Sequence, residues 1–185
     1  GSELRILGSV TFDERGRIVR WIDYWDGRSS LRRTSIGPNY PTDFRDDVTR
    51  AAPVIRSAAN RLHDAFAAGD AASAAEALSF DAVLEDMATH TRVRGRLQIQ
   101  RYLTRALARL PYGPGASVAH IDGGRLGGGY EWHAAPVAAP MRRGHTALEF
   151  DRNGEISRVT AVYDAGLLSF ADYQALVALA AEEPL

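Results

Sequence analysis

The 185-residue chain contains no cysteine and no lysine. The lack of cysteine excludes disulfides, thiolate metal ligands and a cysteine nucleophile, and it leaves the redox compartment open. All 22 basic residues are arginines, and with 23 acidic residues they give a formal net charge of −1. This near-neutral balance gives no indication of nucleic acid or an anionic membrane as a partner.

Long apolar runs are also missing, since no segment approaches the roughly 18 consecutive apolar residues of a membrane span. The first seven residues, GSELRIL, are too short and too polar for a signal peptide. We therefore expect a cytoplasmic protein without a membrane partner. The hydrophobic content of 45% is ordinary for a globular domain. A chain of 185 residues can form one domain with a real core and still leave a further segment.

Residues 148–164 predict two strands joined by a tight turn. Asn153-Gly154 supplies the pair of positive backbone angles that a two-residue hairpin turn needs. Alternation along the second strand gives it two faces. One face carries Ser157, Val159, Ala161 and Tyr163, and the other carries Ile156, Arg158, Thr160 and Val162.

The same pattern occurs in residues 10–27. A shift of 138 residues aligns six identical pairs: Phe12 with Phe150, Asp13 with Asp151, Gly16 with Gly154, Ile18 with Ile156, Arg20 with Arg158, and Asp26 with Asp164. Trp25 then falls on Tyr163. We interpret this as an internal repeat. Because an isolated two-stranded hairpin is marginal in water, this segment must pair with another sheet, a partner chain or a further domain.

The composition divides the chain into three parts. We expect residues 1–27 to be the terminal hairpin of a preceding, otherwise absent repeat copy, and residues 28–49 to be a linker of Gly, Pro, Ser and charged residues. Residues 50–185 contain the pattern of a complete domain.

Within that domain, helical spacing from Pro53 to a stop at Gly69 predicts a first helix, and Asp70 can cap a second. The remaining predicted elements are a helix at 71–78, a strand at 80–86, a polar loop at 87–95, a helix at 96–109, strands at 117–122, 128–134, 142–150 and 155–163, and a helix at 170–182. This order predicts an α+β fold, with a strongly curved, mainly antiparallel sheet wrapped around helices. Such a sheet encloses a conical cavity suited to a small molecule.

Residues 50–182 resemble the nuclear transport factor 2-like superfamily in the motif AFAAGDAASAAEALSFDAVLEDM at 65–87, the glycine at 95 and the segment at 148–164. That superfamily includes ketosteroid isomerases, SnoaL-like polyketide cyclases, limonene-type epoxide hydrolases and polyether epoxide-opening cyclases, as well as non-catalytic members. The resemblance implies a conical, cystatin-like fold, no cofactor and association through the outer sheet face. It also makes the first hairpin resemble the last two strands of a preceding tandem copy.

Carried over residue by residue, the resemblance places Asp86 where ketosteroid isomerases have their proton-shuttling base. Their two oxyanion donors correspond to Leu62 and Thr146, so both donors are missing, and steroid isomerisation by that mechanism is not expected. The Arg-x-Asp pair of limonene-type epoxide hydrolases is also missing. The arrangement most similar to it is Glu131-x-His133, with Arg142 on the neighbouring predicted strand. Cyclases of the superfamily need only one or two acidic or histidine residues in the cavity, which this sequence can supply.

The candidate catalytic residues are Asp86, Glu131 and His133. Burial of Asp86 would raise its pKa and make it a general acid or base, whereas a loop-capping role is the structural alternative. Glu131 and His133 share one face of a strand, and we place that face toward the cavity. A one-residue change of register would instead turn Tyr130 and Trp132 inward and leave Glu131 and His133 in solvent.

Five residues are candidates for the substrate-binding wall: Arg142, Thr146, Tyr163, Leu62 and Leu103. Arg142 has a solvated strand edge as its alternative, and Tyr163 has a structural aromatic role. The side chains of His120, His133 and Glu131 could converge on a metal, but no spaced motif supports this, so we expect none.

These observations favour a cofactor-independent cyclase, isomerase or epoxide-opening hydrolase that acts on a hydrophobic small molecule by acid–base catalysis, with polyketide biosynthesis as one setting. The alternative is a non-catalytic ligand-binding or dimerisation domain whose cone is filled by side chains. Inward-facing Asp86 with Glu131 or His133 would favour the enzyme, and Tyr130 and Trp132 in the cone would oppose it. We further expect a homodimer, or a pseudo-dimer with a tandem copy, formed through the sheet face of Ile156, Thr160, Val162 and Arg158.

Overall fold

The computed structural model describes residues 5–29 and 51–181. Most of the predicted linker lies outside these residues. The described chain forms a two-stranded sheet of β1 (Ile6–Phe12) and β2 (Ile18–Trp25), followed by a larger α+β unit. The first hairpin is therefore observed, as its turn pattern predicts.

Local signals set the first two helices of the larger unit. α1 (Pro53–Ala67) has proline in its first turn, and the chain reverses at Gly69, whose φ is 71°. α2 (Ala71–Glu76) is capped by Asp70, whose carboxylate accepts hydrogen bonds from the backbone N–H groups of Ala72 and Ser73. α1 matches the sequence prediction. α2 begins where predicted but ends two residues earlier, at Glu76, because the following strand already begins at Leu78.

The remaining elements run in chain order as β3 (Leu78–Asp86), β4 (Thr91–Arg94), α3 (Arg96–Ala106), β5 (Ser117–Gly123), β6 (Gly127–His133), β7 (Arg143–Phe150), β8 (Ile156–Tyr163) and α4 (Phe170–Ala178). The six strands pair in the order β4-β3-β8-β7-β6-β5, and only β3 and β8 run parallel. β4 lies in the segment predicted to be a loop, because four residues are too few to show a strand period.

The core lies between the helices and the inner face of this sheet. It combines Ile55, Leu62 and Phe66 of α1 and Ile99 and Leu103 of α3 with strand residues, all fully or almost fully buried. The strand residues of this core include Leu84, Trp132, Leu148, Val159 and Tyr163. This confirms the predicted α+β plan of a curved, mainly antiparallel sheet around helices.

The hairpin of β1 and β2 lies against the outer face of the larger sheet. β1 contacts β5, β6 and β7, and β2 contacts β8. Tyr24 packs with Met87 and Val162, and Leu7 and Ile22 border this small cluster. The two sheets are therefore stacked, with the hairpin on the side opposite to the helices.

Candidate functional site

Asp86 lies at the end of β3 inside the cone and is 0% exposed. Its Oδ1 accepts hydrogen bonds from the backbone N–H groups of Ala88 at 3.1 Å and Thr89 at 3.0 Å. Its Oδ2 accepts from the hydroxyls of Tyr112 at 3.1 Å and Tyr163 at 3.2 Å. Four donors thus converge on one carboxylate and connect β3, the loop after it, the segment after α3, and β8.

Burial raises the pKa of Asp86, although the N–H of Thr89 and the hydroxyl of Tyr112 act in the opposite direction. Burial, and then the negative charge of Asp86, also hold the pKa values of Tyr112 and Tyr163 well above their ordinary range. Both phenols therefore remain protonated and donate to the carboxylate. The buried carboxyl group of Asp86 can therefore keep its proton at a pH at which an exposed aspartate would lose it.

Aromatic rings surround this carboxylate. The ring centroids of Tyr112 and Trp132 are 5.7 Å apart, and the ring centroid of Tyr163 lies 6.2 Å from each of them. Phe66 packs against Tyr112 with a centroid distance of 5.6 Å. The indole N–H of Trp132 donates to the Oγ1 of Thr146 at 3.1 Å. The interior of the cone is therefore packed with rings next to Asp86.

The predicted orientation of β6 is wrong. Tyr130 and Trp132 are 1% and 0% exposed and belong to the main core, whereas Glu131 lies on the outer face and His133 is exposed. Trp132 pairs with Gly144 of β7, and that glycine leaves room for the indole. Two large rings bury more apolar area than a carboxylate and an imidazole, which decides the register of this strand.

The predicted wall residues divide into two groups. Thr146 and Tyr163 lie on the inner face, and Leu62 and Leu103 lie in the core, so their inward placement is as predicted. Arg142 is exposed and precedes the first residue of β7, so it does not project into the cavity, and the alternative of a solvated strand edge holds. The alternation of faces in β7 does not extend to Arg142, because the strand begins at Arg143.

Glu131 meets an arginine from the hairpin on the outer face. The Nη1 and Nη2 atoms of Arg20 donate to its two carboxylate oxygens at 2.5 and 2.8 Å, and the hydroxyl of Tyr24 donates to Oε2 at 2.8 Å. Burial raises the pKa of Glu131, but the hydrogen bonds and charge of Arg20, with the hydroxyl of Tyr24, hold it below its usual value. Glu131 is therefore a buried, ionised partner of the hairpin.

Further polar contacts extend this interface along β5. Ser9 donates to the carboxylate of Asp122 at 2.5 Å and accepts from Arg20 at 3.1 Å. The Oγ1 of Thr11 lies 3.2 Å from the Nε2 of His120. Polar side chains of β1 and β2 thus face polar side chains of the sheet. Sequence reasoning did not consider this role, although Ser9, Thr11 and Arg20 recur at strand period among apolar residues.

His145 lies beneath the same hairpin and is 3% exposed. Its ring stacks on Tyr24, with a centroid distance of 5.6 Å and an interplanar angle of 29°. Neither ring nitrogen has a hydrogen-bond partner among the described residues. Burial lowers the pKa of His145, while the carboxylates of Asp122 and Glu131 oppose that shift. The hairpin therefore covers a neutral imidazole.

The sheet face predicted for association is only partly as expected. Val162 lies outward and packs against Tyr24 of the hairpin, whereas Ile156 belongs to the main core. A register shift between Glu149 and Phe150 accounts for the difference at Ile156. Arg158 forms an ion pair with Glu85 of β3. Within residues 5–29 and 51–181, no group of three His, Asp or Glu side chains is arranged to hold a metal ion.

No helix of the described chain is long and apolar enough to cross a membrane. No family model and no curated protein matches the chain.

Solved structures give clear matches. A steroid delta-isomerase from Pseudomonas aeruginosa is similar over 72% of this chain and 93% of its own, with 16% identity and a TM-score of 0.53. A SnoaL-like protein of unknown function from Burkholderia thailandensis is similar over 64% and 99%, with 14% identity and a TM-score of 0.52. A protein with a cystatin-like fold from Silicibacter pomeroyi is similar over 69% and 82%, with 16% identity and a TM-score of 0.53. At these identities the similarity concerns the fold alone, and the chain has the nuclear transport factor 2-like, cystatin-like fold that its sequence indicated.

Proposed function

We propose that the unit of residues 51–181 is a non-catalytic interaction module, whose cone is packed with its own side chains and whose outer sheet face binds a β-hairpin. The observation that carries this proposal is the bidentate ion pair between Arg20 and Glu131, with side chains only 7% and 5% exposed. Such a pair forms only when the two surfaces meet in one register.

The geometry of Asp86 supports a structural role. A general base must come within hydrogen-bond distance of the proton it removes from the substrate. Here the hydroxyls of Tyr112 and Tyr163 already occupy Oδ2, and two backbone N–H groups occupy Oδ1. The acidic and imidazole groups proposed as its counterparts, Glu131 and His133, lie away from the cone. Asp86 then serves to join the strands and loops at the centre of the fold.

The chemistry of the outer face supports a binding role. A buried ion pair contributes little net stability compared with an apolar contact, but the loss of one partner costs several kcal/mol. Glu131 and Asp122 on the sheet are therefore matched by Arg20 and Ser9 on the hairpin. A surface of this kind selects a particular strand pair and excludes others, since a mismatched hairpin leaves charges buried without partners.

Amide hydrogen exchange of the whole chain tests the proposal. In Arg20→Met, we expect the amides of β1 and β2 to exchange faster while those of β5–β8 stay protected, because the hairpin undocks from an intact domain. Arg17→Met is the matched control, since Arg17 pairs with Asp13 at the hairpin turn with its side chain 71% exposed. Unchanged exchange of the hairpin in Arg20→Met, or equal loss of protection across both sheets, would refute the docking role.

A second candidate is acid–base chemistry at Asp86 on a hydrophobic small molecule, of the cyclase, isomerase or epoxide-opening kind. The specific observation in its favour is the raised pKa of Asp86 beside the two protonated phenols, an arrangement common at functional sites. A steroid delta-isomerase has the same fold. For this chemistry the rings of Tyr112 and Trp132 would have to move away and admit the substrate.

Titration with steroid, polyketide and epoxide mimics separates the two candidates. Binding inside the cone would displace Trp132, so intrinsic fluorescence should change in a saturable way, and Asp86→Asn should weaken that binding. The interaction module instead predicts no saturable change with any of the three classes. A saturable signal that Asp86→Asn abolishes would favour the enzyme over the module.

A further inference from the structure

The face of the hairpin that points away from the domain is largely apolar and exposed. Ile6, Phe12, Val19 and Trp21 are 48%, 52%, 52% and 61% exposed. They lie on the face opposite to Ser9, Thr11 and Arg20, which contact the sheet. The charged residue of this face is Asp23, whose carboxylate accepts a hydrogen bond from the indole N–H of Trp21 at 2.7 Å. Contiguous apolar faces of this kind mark interaction sites.

The internal repeat identifies what such a face covers in the complete domain. The shift of 138 residues places Trp21 on Val159 and Trp25 on Tyr163, and it places Val10 on Leu148. Leu148, Val159 and Tyr163 are each 1% exposed and lie in the core beneath the helices. The exposed face of the hairpin is thus the counterpart of the inner, helix-covered wall of the cone.

Contacts between the two copies of the repeat are close to reciprocal. Tyr24 and Val162, which the same shift aligns, pack against each other. Asp164 accepts a hydrogen bond from the N–H of Gly27 at 2.9 Å, and its counterpart Asp26 accepts one from the N–H of Gly166 at 3.2 Å. Equivalent residues that contact each other indicate an approximate two-fold axis between the copies.

We propose that the exposed face of β1 and β2 is the cone-facing wall of a second unit of the same fold, covered by helices encoded ahead of Ile6. The two units would then associate back to back through the outer faces of their sheets. This inference rests on the proposed interaction function and names its partner: a preceding copy of the domain, joined in the same polypeptide.

The repeat selects this occupant over others. A second copy of the present chain would have to offer a helical layer for the face, but α1, α2 and α3 already cover their own sheet. Helices corresponding to α1 and α3 in a preceding copy have no other sheet wall to cover. The repeat therefore favours an occupant that is encoded with the hairpin, ahead of it in sequence, over a second copy of the present chain.

Hydroxyl-radical footprinting of the protein translated from the complete reading frame, beside the 185-residue chain, tests this inference. We expect the oxidation of Trp21 to fall by about fivefold or more in the longer protein, because its counterpart Val159 is 1% exposed and an exposed ring that becomes buried gains neighbours on every side. Phe80 and Leu126, which are 84% and 90% exposed away from the hairpin, are internal controls and should react equally in both.

Three results would overturn the inference: a reading frame without a helix-rich segment ahead of Ile6, equal oxidation of Trp21 in both proteins, or protection that appears in the 185-residue chain as its concentration rises. The last result would assign the face to a second copy. Hairpin docking is measured separately, through amide exchange in Arg20→Met. If that exchange supports docking while Trp21 stays reactive in the longer protein, only the present inference fails. If it does not, the proposed function fails as well.

Discussion

Arg20 of β2 and Glu131 of β6 form a bidentate ion pair across 111 residues of sequence, with N–O distances of 2.5 and 2.8 Å. Both side chains are almost completely buried. Desolvation of two charges offsets most of their attraction, so the pair adds specificity more than stability. The hairpin can therefore dock on the sheet without an unpaired buried charge only in the register that brings Arg20 to Glu131.

Arg20→Met should lower the free energy of unfolding by about 3–5 kcal/mol, or by the whole docking energy if that is smaller, because Glu131 loses its buried partner. Arg20→Met combined with Glu131→Leu should recover much of that loss, since no buried charge remains. Urea unfolding of the wild type, both single variants and the double variant gives the coupling energy. Additive effects of the two substitutions would contradict the pairing.

His145 should make the stability of the chain fall on acidification. Its folded pKa lies below the ordinary value of 6.5, so the unfolded chain binds the proton first. The contribution of His145 to the free energy of unfolding is fully present above about pH 6.5, and it decreases as the pH falls toward the folded pKa. Arg20 and His120 lower that pKa further, while Asp122 and Glu131 oppose the shift.

His145→Phe keeps a ring for the stack on Tyr24 and cannot titrate, so its melting temperature should fall less than that of the wild type below about pH 6.5. Calorimetry of both proteins across this range measures the difference. His63, which is also buried with a lowered pKa, is common to both proteins, so its contribution cancels. Parallel curves for the two proteins would show that His145 does not titrate on unfolding.

Much of the fold follows from local sequence signals. Pro53, Gly69, Asp70 and Ser169 set helix ends that the structure reproduces. The turn before β8 contains Asn153-Gly154, but it is not the predicted two-residue turn: of this pair Gly154 alone has a positive φ, of 80°, and a hydrogen bond from the N–H of Asp151 to the carbonyl of Glu155 closes a three-residue loop. Each of these signals acts within a few residues and needs no tertiary context. β4 was not predicted, because its four residues are too few to show the alternation of a strand.

The site was harder to predict because it depends on which face of a strand is buried. Tyr130 and Trp132 alternate with Glu131 and His133, and both orientations satisfy the alternation. The decision depends on Gly144, which faces Trp132 from the neighbouring strand, and on Arg20, which meets Glu131 from the hairpin. Neither partner can be identified from the local pattern. Asp86 was singled out by the resemblance instead, which matches it to the base of ketosteroid isomerases, and its burial depends on contacts that the local pattern does not show.

Gly144→Ala should destabilise the domain by about 1–3 kcal/mol, the usual cost of overpacking a core. A methyl group at Gly144 would overlap the indole ring of Trp132 and the backbone oxygen of Val162. Gly124→Ala is the matched control, because a methyl group there meets nothing within 4 Å. Urea unfolding followed by tryptophan fluorescence compares the two variants. Equal stability of Gly144→Ala and Gly124→Ala would contradict the close packing of the Trp132 indole against Gly144.

Asp86 should give the opposite pH dependence to His145. Burial holds its folded pKa above the ordinary value of 3.8, so the folded state keeps the proton that the unfolded state loses first. The free energy of unfolding should therefore decrease as the pH rises from about 3.8 toward the folded pKa, and then level off.

Asp86→Asn imitates the protonated acid and does not titrate, so the stability of the wild type relative to this variant should decline with rising pH across that window. Asp86→Ala should cost about 1–3 kcal/mol for each unsatisfied partner at every pH, since it leaves the hydroxyls of Tyr112 and Tyr163 without their acceptor. Urea unfolding from about pH 4 to pH 8 measures both differences. If the wild type and Asp86→Asn differ by the same amount at every pH, Asp86 has an ordinary pKa in the folded protein, and the raised pKa that favours chemistry at this residue is absent.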